Sequence, residues 1–129
     1  MSDPRPLIAV VDDEASIRKA LTRLLRSAGL EVASFESGAE FLAACPSLRP
    51  DCVVLDLHMP TLDGFEVQQR LADSPHRTPV VVITGHDSAE THARAMAAEP
   101  VAYLRKPMHD EALLEAIARA LAHSPEDRP

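Results

Sequence analysis

Four apolar runs in this chain each end on a polar residue of a different chemical kind. Asp12 and Asp13 follow Leu7 to Val11, Asp56 follows Cys52 to Leu55, Thr84 follows Val80 to Ile83, and Lys106 lies just past Val101 to Leu104. If these runs are neighbouring parallel strands, their carboxyl ends share one edge of a sheet, where open α/β folds bind their ligands. Carboxylates, a hydroxyl and an ammonium gathered there suit a divalent cation and a phosphoryl group.

Each residue also has a plainer reading. Two carboxylates at ~4 Å repel by about 4 kcal/mol at an effective dielectric of roughly 20, so Asp12 and Asp13 call for a compensating cation. An Asp-Asp pair after a strand also serves as a helix N-cap. Hard oxygen ligands select Mg²⁺, or Mn²⁺ in its place. Asp56 stands before the loop Leu57 to Gly64, and an aspartate carboxylate can attack phosphorus to give an aspartyl phosphate. Thr84 can hydrogen-bond a phosphoryl group, yet Thr is also simply a good strand residue. Lys106 precedes Pro107. A cis bond there would aim the ammonium back at the site, to pair with Asp56 when the site is empty and with phosphoryl oxygens when it is filled. The plain alternative is an exposed lysine.

The positioning elements follow from hydrophobic period. Short apolar runs at Leu7 to Val11, Val32 to Phe35, Cys52 to Leu55, Val80 to Ile83 and Val101 to Leu104 read as buried parallel strands. Between them, Ile17, Leu21, Leu24, Leu25 and Ala28 recur at helical spacing, with Gly29 as the stop. Ser37 and Glu40 form a capping box opening a second helix that ends by Pro46. A third helix spans Asp63 to Ala72. A fourth runs from Asp87 or Ser88 to Ala98, with Glu90 completing a box from Asp87, and a fifth starts near Asp110 with the stripe Leu113, Leu114, Ile117 and Leu121. All prolines are expected at or beyond element ends. The alternation βα, repeated five times, predicts a doubly wound α/β sandwich with helices on both faces of a parallel sheet.

Composition narrows the function. With 129 residues, 46% hydrophobic and 26% charged, the chain fits one ordinary domain. No repeat or low-complexity tract is present, no apolar run approaches the ~18 residues of a membrane span, and the N-terminus lacks a signal-peptide pattern. A cytoplasmic location and no membrane association are expected. Cys45 and Cys52 lack metal-ligand spacing and read as packing residues. A net charge of −7 with scattered basic residues argues against nucleic-acid binding. His76, His92, His109 and His123 show no ligand spacing and are assigned to the surface.

Taken together, Val10-Val11-Asp12-Asp13-Glu14, Val54-Leu55-Asp56-Leu57-His58-Met59-Pro60 with Asp63-Gly64, Ile83-Thr84-Gly85-His86, and Tyr103-Leu104-Arg105-Lys106-Pro107 resemble two-component response regulator receiver domains. Thr84-Gly85-His86 and the stretch from Ser34 to Phe41 look most like the FixJ-type subclass. The resemblance implies a CheY-like, flavodoxin-like strand order 2-1-3-4-5, with a receiver domain at 7–122 between an N-terminal tail at 1–6 and a disordered tail at 123–129. It implies a phospho-acceptor that takes a phosphoryl group from a sensor histidine kinase or histidine phosphotransfer protein onto Asp56. Asp13 and Asp56 would then hold Mg²⁺ directly, Asp12 through water and His58 through its backbone carbonyl, while Thr84 and Lys106 hold phosphoryl oxygens. Such a domain is a signalling switch, catalysing its own phosphorylation and autodephosphorylation, rather than a conventional enzyme.

The resemblance further makes Thr84 and Tyr103 the switch pair, and places His58 and His86 where they flank the attacking water and tune hydrolysis. Partner contacts, a homodimer or an output protein, are implied through the fourth helix, last strand and fifth helix. Two departures bear on that face: Glu99-Pro100 stands where the family has Gly, making a positive φ less available, and Met108 replaces a commonly aromatic residue. Two rival classes remain. An aspartate-nucleophile phosphatase would want an Asp-x-Asp nucleophile on the first strand, which this chain lacks, and a degenerate receiver acting only as a surface would not need the complete acid, Thr and Lys set. FixJ-type relatives commonly carry a DNA-binding domain beyond the fifth helix, and nothing after Leu121 can form one. A standalone receiver would be an adaptor, a phosphate shuttle or a phosphate sink.

Overall fold

Parallel strands cannot be joined by tight turns, so each successive pair here is separated by a helix that crosses over and packs back on the sheet. The computed structural model describes residues 5–122. It alternates β1 (Leu7–Val11), α1 (Ala15–Ser27), β2 (Glu31–Phe35), α2 (Gly38–Leu48), β3 (Cys52–Asp56), α3 (Gly64–Asp73), β4 (Val80–Thr84), α4 (Ala89–Met96), β5 (Ala102–Arg105) and α5 (Asp110–Ala122). The five strands form one parallel sheet in the order β2-β1-β3-β4-β5, the expected doubly wound, flavodoxin-like fold.

Strand side chains alternate between the faces, and each face has its own core. Ile8, Val10, Cys52, Val54, Val81 and Ile83 meet Leu21 and Leu25 of α1 and Leu113, Ala116, Ile117 and Ala120 of α5. Ala9, Val11, Val53, Leu55, Val80 and Val82 meet Phe41 of α2, Val67 and Leu71 of α3 and Ala95 of α4. Each large apolar side chain so buried contributes about 1.5–3 kcal/mol. Cys45 and Cys52 are free thiols, Cys52 fully within the core.

Local chemistry explains the ends. Gly29 adopts φ 85 just beyond α1, and the bonds Gly29 N–H to Arg26 O and Leu30 N–H to Leu25 O complete a Schellman stop. Ser37, Asp63 and Ser88 cap α2, α3 and α4, accepting from Glu40, Glu66 and Thr91 N–H respectively.

Three expectations need correction. Pro46 does not end the second helix but lies inside α2, so the rule that every proline lies at or beyond an element end fails there. Its missing N–H costs one bond in the last turn, which closes by Arg49 N–H bonding Cys45 O at φ 48. Asp87 and Glu90 form no box, because Ser88 is the cap, and α4 ends at Met96 rather than Ala98. Glu99 takes the positive φ (53) itself, its N–H bonding Met96 O at 2.9 Å. The turn therefore accepts the left-handed strain, about 1–2 kcal/mol for a non-glycine residue, instead of avoiding it.

Pro6 O accepts from Glu31 N–H. The rest of the expected N-terminal tail, apart from Arg5, and the expected tail at 123–129, with His123, lie outside the described residues. Among the described residues no helix is long and apolar enough to cross a membrane.

Candidate phosphoryl-accepting site at the strand ends

The order β2-β1-β3 places the carboxyl ends of β1 and β3 side by side, with Val11 opposite Leu55. Asp12 N–H still bonds Phe35 O at 3.1 Å, which continues the sheet by one residue and buries the Asp12 side chain completely. Its Oδ1 accepts from Glu14 N–H at 2.9 Å and its carbonyl from Arg18 Nη1 at 2.8 Å. The capping alternative for the acid pair is not realised, since Glu14 occupies the N-cap of α1 without a side-chain cap bond. Asp13 is exposed.

Asp56 is the last residue of β3 and 3% exposed. Its Oδ1 accepts a long bond from His58 N–H, 3.4 Å. The loop beyond it folds back so closely that a Cβ on Gly64 would collide with the Asp56 carbonyl oxygen and come within 2.6 Å of Leu57 Cα. Gly64 N–H bonds Leu57 O at 2.9 Å across that contact. This role of Gly64 goes beyond its place in the sequence motif, and the Asp63-Gly64 step opening a helix is the signal for it.

Thr84 ends β4, fully buried. Its Oγ1 accepts from His86 N–H at 3.1 Å and lies 3.2 Å from His58 Nδ1. The His58 and His86 rings meet at 4.9 Å between centroids, so the two imidazoles border the site together. Burial, followed by His86, lowers the His58 pKa, with Asp63 opposing. Lys106 precedes a cis peptide bond to Pro107, as expected. Its ammonium is 2.8 Å from Asp12 Oδ2, 3.3 Å from Glu14 Oε1 and 3.7 Å from Asp56 Oδ2. The expected pairing with Asp56 thus exists, but Asp12 holds the ammonium more closely, and Glu14 was not foreseen as a partner. Burial works against the Lys106 charge, but the adjoining Asp12 carboxylate and the charge of Asp56 outweigh it and raise its pKa.

Asp56 carries the opposite imbalance. Burial pushes its carboxyl up from 3.8 to about 6, Asp12 adds to this, and Lys106 and the His58 N–H only partly offset it. Oxygens of Asp12, Asp13 and Asp56 all lie within 4.8 Å of one another. Asp12 Oδ2 is buried and, despite its 2.8 Å ion contact with Lys106, has no aligned hydrogen bond. Two buried acids beside a third, one with a free lone pair, are hard oxygen donors with excess negative charge, and so fit Mg²⁺.

Tyr103 lies apart from the acids. On β5 it pairs with Val82 while Arg105 pairs with Thr84, so Tyr103 and Thr84 are diagonal neighbours on one sheet face. The Tyr103 hydroxyl donates to Asp87 Oδ1 at 2.7 Å, and its ring meets His92 edge-on at 4.7 Å. Asp87, read from sequence as a capping residue, is therefore a tertiary contact. A surface groove of about 390 Å³ at the other end of β4, lined by Gln68, Leu71, Arg77, Pro79 and Glu99 among others, shares no residue with the strand-end acids.

Residues 8–118 match the family model for the response regulator receiver domain. The transcriptional regulatory protein FixJ of Rhizobium meliloti is 38% identical over 116 residues, which is 90% of this chain and 57% of FixJ. The crystal structure of FixJ-N superimposes with a TM-score of 0.85 at 37% identity, covering 95% of this chain and 97% of that one. A response regulator receiver protein from Burkholderia phymatum gives 0.80 at 46% identity, covering 94% and 99%. The chain spans about half the length of the curated relatives it matches, 51% to 58%. With sequence and fold in agreement over nearly its whole length, the chain belongs to the response regulator receiver domain family and is of the FixJ type.

Proposed function

We propose that Asp56 is the phospho-acceptor of this two-component receiver domain, and that a phosphohistidine on a sensor histidine kinase or histidine phosphotransfer protein is the donor. The observation that carries the reading is the convergence of Asp12, Asp13, Asp56 and Lys106 at one sheet edge. The Asp56 carboxylate attacks phosphorus, an O–P bond forms, the donor's P–N bond breaks, and the imidazole leaves. Lys106 shifts from Asp12 and Glu14 toward the phosphoryl oxygens as charge spreads over them. Thr84 Oγ1 turns from its His58 contact to donate to one of those oxygens.

The side chains of Asp12, Asp13 and Asp56 and the His58 carbonyl would hold Mg²⁺, or Mn²⁺, which supplies charge neutralisation to the transferring group. Hydrolysis reverses the modification when water attacks phosphorus and the Asp56 carboxylate leaves. The adjoining rings of His58 and His86 support their role in tuning that step. Movement of Thr84 opens space on the face it shares with Tyr103, biasing a two-state equilibrium that partners read at α4, β5 and α5, whether a second copy or an output protein. A cytoplasmic setting accords with the family and with a reduced cysteine pair. The transcriptional regulators among its relatives leave two output routes, an appended DNA-binding domain or a standalone role as adaptor, shuttle or sink.

Incubation with acetyl phosphate and Mg²⁺, read by intact mass, tests this. Wild type gains one phosphoryl group, and both Asp56→Asn and magnesium removal abolish the gain. Unchanged uptake by Asp56→Asn would place the acceptor elsewhere.

A further inference from the structure

Asp87 is exposed and belongs to neither the acid cluster nor a helix cap, yet it holds two side chains of β5. Its Oδ1 accepts the Tyr103 hydroxyl proton at 2.7 Å and its Oδ2 lies 3.7 Å from Arg105 Nη1. It stands in the segment between Thr84 and the first residue of α4, Ala89, so these contacts fasten the end of β4 to β5. The Tyr103 side chain is held at a second point by His92 of α4, ring to ring edge-on at 4.7 Å. A phenol donating to a carboxylate is a charge-assisted bond, stronger than a neutral pair.

We propose that Asp87, with Arg105, is a latch that holds Tyr103 in the unphosphorylated arrangement and so sets how readily the domain switches. The inference rests on the switch reading given to Thr84 and Tyr103 above and adds the element that resists it. A ring tethered at its hydroxyl cannot follow Thr84 along the shared face until the tether parts. The latch therefore stabilises one state only, which is what a residue must do to bias a two-state equilibrium. Arg105 lies against the other oxygen of the same carboxylate and keeps it oriented toward β5, so it is a positioning residue for the latch. The raised pKa of Tyr103, to about 12, owed first to burial and then to the Asp87 bond, accords with a phenol held in its protonated, donating form.

The chain supplies its own probe, having one tyrosine and no tryptophan. A phenol hydrogen-bonded to a carboxylate emits weakly, so tyrosine fluorescence reports the latch directly. Wild type should brighten on phosphorylation by acetyl phosphate with Mg²⁺, while Asp87→Ala should be bright beforehand and respond little. Asp87→Ala and Tyr103→Phe, both changes at a surface contact, should each raise the initial phosphorylation rate about threefold to tenfold. The double variant should show no more than either alone, since both remove one bond. Wild-type rates in both single variants, or an unaltered fluorescence response in Asp87→Ala, would overturn the latch while leaving Asp56 as acceptor. A wild type that takes up no phosphoryl group would overturn the underlying reading instead.

Discussion

Helices α4 and α5 lie on opposite faces of neighbouring strands, and they are held in different ways. α5 buries Leu113, Ala116, Ile117 and Ala120, a full apolar stripe. α4 buries only Ala95 and leaves Met96 41% exposed. What fastens α4 is largely polar: Gln68 Nε2 donating to Ala95 O at 3.1 Å, Arg94 over the Phe65 ring at 4.1 Å, and His92 against Tyr103. Apolar burial is non-directional and hard to exchange, and the buried Gln68 bond is costly to leave unmade, whereas the contacts of exposed Arg94 and His92 trade partners at small cost. The acids thus sit on a firm frame of β1, β3 and α5, while the segment proposed to respond to them is attached with less apolar burial and more exchangeable contacts. Local stability in proteins is uneven in this manner, and moving elements come from its lower end.

The contrast can be broken most severely at α5. Leu113→Ala should lower unfolding free energy by about 3 kcal/mol, measured by urea denaturation without change of slope. Next, Lys106→Met should cost about 2 kcal/mol, because Asp12 is then buried without its cation, its Oδ2 unpartnered and only its Oδ1 held by Glu14 N–H. Melting in EDTA should show the loss, and magnesium should restore part of it.

Asp56→Asn should act in the other direction. Between 3.8 and about 6 the folded chain keeps a proton on Asp56 that the unfolded chain has released, so that stability falls as pH rises through this window. Without metal, the variant should exceed wild type by about 2–3 kcal/mol at pH 7, an advantage that largely vanishes by about pH 4. Melting curves across that range check the sign. Last, Met96→Ala should change stability by less than about 0.5 kcal/mol, the counterpart to Leu113→Ala that sharpens the difference between the helices.

Much of this was legible in the residues, and the reason is period. Buried parallel strands such as β3 and β4 announce themselves as short β-branched runs, and even the edge strands β2 and β5, with little or no full burial, carry enough apolar residues that all five were placed within a residue of their ends; the polar residues closing four of them marked the candidate site. Pro46 escaped because one lost bond near a helix end is tolerable where the following turn closes at Arg49. Asp87 escaped because its local role, a cap, and its actual role, a bond to Tyr103 sixteen positions on, place the same demand on residue type. Lys106 lies among the acids as expected, but its nearest partner was not legible, since which of three acids an ammonium prefers depends on burial. Asp12 is entirely buried, and charge pairing there counts for more than at exposed Glu14.

Hydrogen exchange of the Mg²⁺-loaded chain, with and without beryllofluoride as a stable mimic of the phosphoryl group, tests the central claim most directly. The expected result is that exchange changes concentrate between Thr84 and Lys106, covering α4 and β5, that α5 and the strands β1 and β3 keep their protection apart from the residues touching the anion, and that Asp56→Asn shows no change. An unaltered α4 and β5 in the loaded wild type, or an equal response in Asp56→Asn, would contradict it.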